Sequence, residues 1–79
     1  MKMRILFFAS LKEKVGKNFL EWESLQPVTV GELRQQLAST FPDLASQLGS
    51  ALAAVNQQYA FDGELIMDGA EVAFFPPVS

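Results

Sequence analysis

Two pairs of acidic residues have a spacing that could support chemistry. Glu21 and Glu23 are separated by one residue, as are Asp62 and Glu64, so each pair would lie on one face of a strand. Paired carboxylates can act as general acid and base or bind a divalent cation. Neither pair has a nearby histidine or a third ligand in the sequence, and each lies beside a turn. We therefore interpret both pairs as solvated surface and predict no metal site.

The residue types that most often carry catalysis are missing. The 79 residues contain no histidine and no cysteine, which excludes the commonest general base, cysteine nucleophiles, thiolate metal sites and disulfides within them. The glycines form neither a G-x-x-x-x-G-K-S/T nor a G-x-G-x-x-G phosphate-binding pattern. A chain this short also has little volume for an internal active-site cavity. We expect no catalytic residue, bound cofactor or metal in these residues, and a function located on the surface.

Charge and hydropathy argue against two classes of partner. The net charge of −3 disfavours nonspecific binding to nucleic acid, and Lys12, Lys14 and Lys17 are interpreted as a solvated loop. No apolar stretch approaches the roughly 20 residues that cross a bilayer. The apolar run 5–9 is too short for a signal peptide. We expect a soluble, cytoplasmic protein that binds neither nucleic acid nor membrane.

Five apolar segments are predicted to form strands, with turns at Asp62-Gly63 and Asp68-Gly69 and a stop at Pro76-Pro77. The first segment is almost continuously apolar and should be a central strand covered on both faces. The second alternates apolar and acidic residues, which is typical of a half-buried strand paired with the first. The predicted strands span residues 3–9, 19–23, 51–55, 64–67 and 71–75.

One main helix is predicted to begin at Val30. Thr29 and Glu32 have the S/T-x-x-E spacing of a capping box, and Pro42 prevents continuation of the helix. An apolar stripe at helical spacing should pack on the sheet, with Arg34 on another face. The stripe consists of Val30, Leu33, Leu37 and Phe41. Shorter helical segments are expected at 10–15 and at 43–48, the latter ended by Gly49.

The order of these elements predicts an α+β fold. The first and last strands are the most apolar, so burial is greatest when they lie side by side at the centre of the sheet. They should run parallel because the helix lies between them in sequence. This arrangement is the β-grasp, or ubiquitin-like, fold: a mixed sheet of four to five strands packed on one main helix. We expect a single domain over residues 1–79 with a protruding C-terminal tail at 76–79.

Three stretches, residues 6–9, 53–57 and 68–78, resemble the small subunit of molybdopterin synthase, a ubiquitin-related family of sulfur-carrier proteins. The last stretch is the most specific, because an aromatic strand runs into a double proline. The similar thiazole-pathway sulfur carriers share the fold and chemistry, but Leu6-Phe7-Phe8 and Phe74-Phe75-Pro76-Pro77 favour the molybdopterin branch.

The resemblance implies a carrier that is not catalytic alone. Its terminal Gly-Gly carboxylate would be adenylated by an ATP-dependent enzyme and converted to a thiocarboxylate, so ATP is expected to bind that partner. The sulfur would pass to a pterin precursor inside the large subunit of the synthase during molybdenum cofactor biosynthesis. Two small and two large subunits are expected to form a heterotetramer.

The sequence departs from this family at its end. The Gly-Gly expected after Ser79 is absent from the 79 residues, and we expect it in the full-length protein. A chain that lacked it would be a noncatalytic ubiquitin-like interaction module, able to dock but unable to carry sulfur.

Exposed aromatic residues are the predicted docking surface. A ubiquitin-like sheet has one covered face, and successive strand residues point to opposite faces, so one phenylalanine of each pair at 7–8 and 74–75 should be exposed. We predict that Phe8, Tyr59 and Phe75 bind a partner. The alternative for Tyr59 is a simple edge-strand residue.

The tail is the second part of the predicted partner-binding site. It comprises Pro76, Pro77, Val78 and Ser79. The two prolines fix φ and favour an extended path of about 3.1 Å per residue. We expect them to aim the terminus away from the domain and into the partner.

Overall fold

A computed structural model describes residues 1–77. Within that range the chain forms seven strands, two α-helices longer than six residues, and two shorter helical segments. They are β1 Lys2–Phe7, α1 Ala9–Val15, β2 Phe19–Glu23, β3 Val28–Thr29, α2 Val30–Thr40, a 3-10 helix Pro42–Leu44, α3 Ala45–Ser50, β4 Leu52–Val55, β5 Gln58–Tyr59, β6 Leu65–Ile66 and β7 Glu71–Phe75.

Five strands of residues 1–77 form a mixed sheet in the order β2-β1-β7-β4-β5. The central pair, β1 and β7, is parallel, and every other pair in this sheet is antiparallel. This confirms the α+β class, the parallel central pair and the pairing of β2 with β1. The short strands β3 and β6 pair separately, with Val28 opposite Ile66.

One face of the sheet is covered and the other is open. In β1, Met3, Ile5 and Phe7 are buried in the core, whereas Lys2 and Arg4 are exposed. The prediction that this strand is covered on both faces is therefore wrong. Its apolar appearance arises because Leu6, and Phe8 after the strand, belong to an apolar part of the open face.

Helix α2 covers the closed face, and its start is as predicted. The Glu32 backbone N–H donates to Thr29 Oγ1 at 3.1 Å, and the Thr29 N–H donates to Glu32 Oε1 at 2.9 Å. Val30, Leu33 and Leu37 of the stripe are fully buried, while Phe41 is half-buried at the C-cap. Within residues 1–77, no helix has both the length and the apolar character to cross a membrane.

Several local predictions differ from the structure. The segment predicted as one helix at 43–48 is a 3-10 helix followed by α3, and α3 continues through Gly49 to Ser50. The strand predicted at 64–67 shortens to Leu65–Ile66 and joins β3 rather than the main sheet. Strands β3 and β5 were not predicted, because two residues are too few to show a periodicity.

The turn between β4 and β5 provides a stability prediction. Asn56 and Gln57 have φ of 50° and 70°, which is the left-handed pair that a type I′ hairpin turn requires and that Asn-Gly suits best. We expect Gln57→Gly to raise the free energy of unfolding by about 1 kcal/mol, because a side chain at this φ is strained. Urea unfolding measures the change. Gln57→Ala should give no gain, and a gain as large as that of glycine would contradict the explanation.

Candidate docking surface

The open face of the sheet is charged at one end and apolar at the other. Arg4 lies opposite Glu71 in the parallel ladder, and Leu6 lies opposite Ala73 one pleat further along. Both strands run toward the apolar end, where β7 finishes at Phe75. The chain therefore leaves the sheet from the apolar end of the open face.

Three aromatic residues form a cluster at this end, which we call the aromatic cluster: Phe8, Tyr59 and Phe75. The Phe8 and Phe75 ring centroids are 6.3 Å apart in an edge-to-face arrangement. The Tyr59 and Phe75 centroids are 5.8 Å apart with tilted rings. Phe8 is 47% exposed and Tyr59 74% exposed, and Phe75 between them is half-buried. The structure thus brings together the three residues that the sequence singled out.

Phe8 reaches the open face because of the backbone that follows β1. Its N–H donates to the Phe74 carbonyl at 3.3 Å, and its extended φ of −123° continues the strand alternation. Ala9 then takes a φ of 54°, which turns the chain into α1. Phe7 is consequently in the core while Phe8 is on the open face.

Tyr59 reaches the cluster from the edge strand β5. It lies opposite Ala54, and this small side chain leaves space above β4 for the tyrosine ring to reach Phe75. Leu52, directly opposite Phe75, is also exposed and extends the apolar surface. Tyr59 is therefore an edge-strand residue that also belongs to the aromatic cluster.

The tail begins directly beside this cluster. Pro76 is half-buried, Pro77 is exposed, and neither belongs to a strand. A proline has no N–H to donate, so the ladder ends at Phe75. Val78 and Ser79, also predicted to bind the partner, lie outside the described residues. The partner-binding role of all seven residues stays a prediction.

Arg34 is an important residue that the helical pattern missed. Its guanidinium donates to the carbonyls of Leu48 and Ala51 and to Asp62 Oδ1, and it lies 5.5 Å above the Phe74 ring centroid. It thereby joins α2, the end of α3 and the β5–β6 connection. The sequence feature that could have identified it is its position, because Arg34 is the one basic residue between positions 18 and 79.

Three of the four acidic residues that could have suggested catalysis have structural partners. Glu21 pairs with Arg4 at 3.2 Å, Asp62 pairs with Arg34 at 3.0 Å, and Glu64 Oε1 accepts the Phe61 N–H at 3.3 Å. Among the described residues, no group of three or more His, Cys, Asp and Glu side chains could hold a metal ion. An exposed apolar cluster of this kind is typical of a protein-binding surface.

The chain is similar to known proteins over almost its whole length. The ThiS family model matches residues 5–79. The chain is 43% identical over 79 residues to the molybdopterin synthase sulfur carrier subunit of Escherichia coli strain K12, covering 98% of this chain and 96% of that protein. It is 33% identical over 81 residues to the protein of the same name from Chlamydomonas reinhardtii, covering 100% and 98%.

The fold has close counterparts among solved structures. The crystal structure of SAMP1 from Haloferax volcanii superposes with a TM-score of 0.86 at 29% identity, covering 100% of this chain and 98% of that one. This likeness extends over the whole ubiquitin-like domain, including the strand that leads into the tail.

Proposed function

The chain belongs to the ThiS family, and we propose that it is the sulfur-carrier subunit of a molybdopterin synthase in the cytoplasm. The observation that carries the proposal is the position of the tail, which begins at Pro76 directly beside the exposed aromatic cluster. A large subunit that covers the cluster would receive the tail at a fixed place and direction. The name of the 43% identical relative supports the same function.

The proposed chemistry needs little from this chain. A C-terminal carboxylate has an ordinary pKa of about 3.3–3.7, so it is ionised at neutral pH and is a poor electrophile. An activating enzyme would couple it to ATP, releasing pyrophosphate and forming an acyl adenylate. A sulfur nucleophile would then attack the acyl carbon and expel AMP, leaving a thiocarboxylate. The carrier contributes a slender, correctly aimed end, which is consistent with its lack of histidine and cysteine.

Delivery would take place in the partner. The large subunit would bind the pterin precursor and the tail together, and the thiocarboxylate sulfur would pass to the precursor. We propose an assembly of two small and two large subunits. Because docking and acyl transfer use different parts of this chain, the two can be tested separately.

The test of carrier activity uses the full-length protein with its natural C-terminus. After incubation with the activating enzyme, ATP and a sulfur donor, intact mass spectrometry should show exchange of one oxygen for one sulfur. The reaction without ATP should leave the mass unchanged, as should a variant cut after Ser79. A full-length protein that binds the large subunit but never gains sulfur would be an interaction module, and the carrier proposal would be wrong.

A further inference from the structure

The outer edge of β2 has free backbone groups. Met1 and Ser24 exchange two backbone hydrogen bonds of 2.9 Å, and bonded and non-bonded pairs alternate along an antiparallel ladder. The backbone groups of Phe19, Glu21 and Glu23 therefore point away from β1. Among residues 1–77, no strand pairs with this side of β2.

The two faces of β2 differ in chemistry. Phe19, Glu21 and Glu23 are exposed on the open face. Leu20 and Trp22 are half-buried on the other face, where the Trp22 indole N–H donates to Gln36 Oε1 of α2 at 3.2 Å. A strand added here would meet two acidic groups on one face and apolar groups on the other.

A second copy of this chain is a poor occupant. An antiparallel pair of whole β2 strands would place Glu21 opposite Glu21, and like charges directly opposite each other destabilise a sheet. This repulsion disfavours pairing between the β2 edges of two copies. In other sheets, proline, a bulge or a covering element prevents such pairing. A foreign segment with basic residues would have the reverse effect. Glu23 makes no ion pair within the described part of the chain, so it is available for one.

We propose that the β2 edge binds an extended segment of another protein by strand addition. The segment alternates, with basic side chains facing Glu21 and Glu23 and apolar side chains facing Leu20 and Trp22.

This edge is separate from the aromatic cluster. Phe8 follows β1, the neighbour of β2, whereas Phe75 and Tyr59 lie on β7 and β5 further across the sheet. The outward backbone groups of β2 point to the opposite side, away from all three rings, and each strand adds about 4.8 Å to the distance across the sheet. A partner at the β2 edge could therefore bind while another covers the aromatic cluster. The proposal does not depend on sulfur transfer.

The first test uses nuclear magnetic resonance on the full-length, ¹⁵N-labelled protein. The probe is a synthetic peptide of alternating lysine and valine, and its addition should shift the amide signals of Phe19, Glu21 and Glu23. A peptide with N-methyl groups on the ladder-forming residues keeps the charge but loses the hydrogen bonds, and it should bind about tenfold more weakly. If the two peptides bound equally, binding would depend on charge and not on backbone hydrogen bonds, and the proposal would be wrong.

The second test changes the protein. Glu21→Pro removes an outward N–H without removing a bond to β1, and it should weaken binding of the lysine–valine peptide by about tenfold. Asp43→Asn, in the 3-10 helix, is the matched control for loss of one negative charge and should bind normally. Shifts confined to Gln58 and Tyr59, or no shift at millimolar peptide, would overturn the proposal. If Glu21→Pro does not fold, the methylated peptide decides the question.

Discussion

Replacement of Phe75 with aspartate should abolish tight binding to the large synthase subunit. Phe75 lies between Phe8 and Tyr59, with centroid distances of 6.3 and 5.8 Å, so it is the centre of the aromatic cluster. A charge there would have to lose its water on docking. Central aromatic residues commonly contribute about 2–4 kcal/mol to binding, so we expect the Kd to rise by about 30-fold to 1,000-fold. Titration calorimetry with the purified large subunit measures the change.

The control for this variant is Leu25→Asp. Leu25 is fully exposed in the connection after β2, so the same kind of charge is added away from the cluster. Its Kd should be unchanged. Both variants should keep the circular dichroism spectrum of the parent protein, since neither side chain is in the core. Normal binding by Phe75→Asp would show that the partner docks elsewhere, while leaving the thiocarboxylate chemistry to its own test.

Local patterns explain why much of the fold was predictable. The Thr29 and Glu32 capping box depends on residues three positions apart, so the sequence is enough to place the start of α2. The same is true of Phe8 and Phe75, because strand alternation combined with a sheet covered on one side decides which phenylalanine of each pair lies on the open face. These features need no knowledge of distant contacts.

The features that escaped prediction depend on distant contacts. The pairing of Val28 with Ile66 joins residues far apart in sequence, and neither two-residue strand has a pattern of its own. The prediction that both faces of β1 are covered was wrong for a related reason. In the sequence, an apolar residue on an open face cannot be distinguished from one that is buried. The apolar run combines core residues with Leu6 and Phe8, which lie on the open face.

The contacts of Arg34 also join residues far apart in sequence, so the sequence pattern did not reveal them. Its replacement is expected to change stability more than any other variant considered. We expect Arg34→Met to lower the free energy of unfolding by about 2–4 kcal/mol, measured by urea unfolding. Methionine keeps much of the side-chain volume, but it removes the guanidinium bonds to the carbonyls of Leu48 and Ala51. The Leu48 carbonyl keeps the Ala51 N–H at 3.3 Å, whereas the Ala51 carbonyl loses its donor, and an unsatisfied buried acceptor costs about 1–3 kcal/mol. Arg34→Lys should recover only part of the loss, because an ammonium group lacks the fork that reaches several acceptors.

Two control variants distinguish the hydrogen-bonding role of Arg34 from a general sensitivity of α2 to substitution. Gln35→Met makes the same replacement at the next, exposed position of the helix and should change stability by less than about 0.5 kcal/mol. Asp62→Asn removes the charged partner of Arg34, but Asp62 is 64% exposed, so the loss should stay below about 1 kcal/mol. If Arg34→Met is as stable as Gln35→Met, the carbonyls do not depend on the guanidinium. Arg34 would then be a surface residue, as the helical pattern alone suggested.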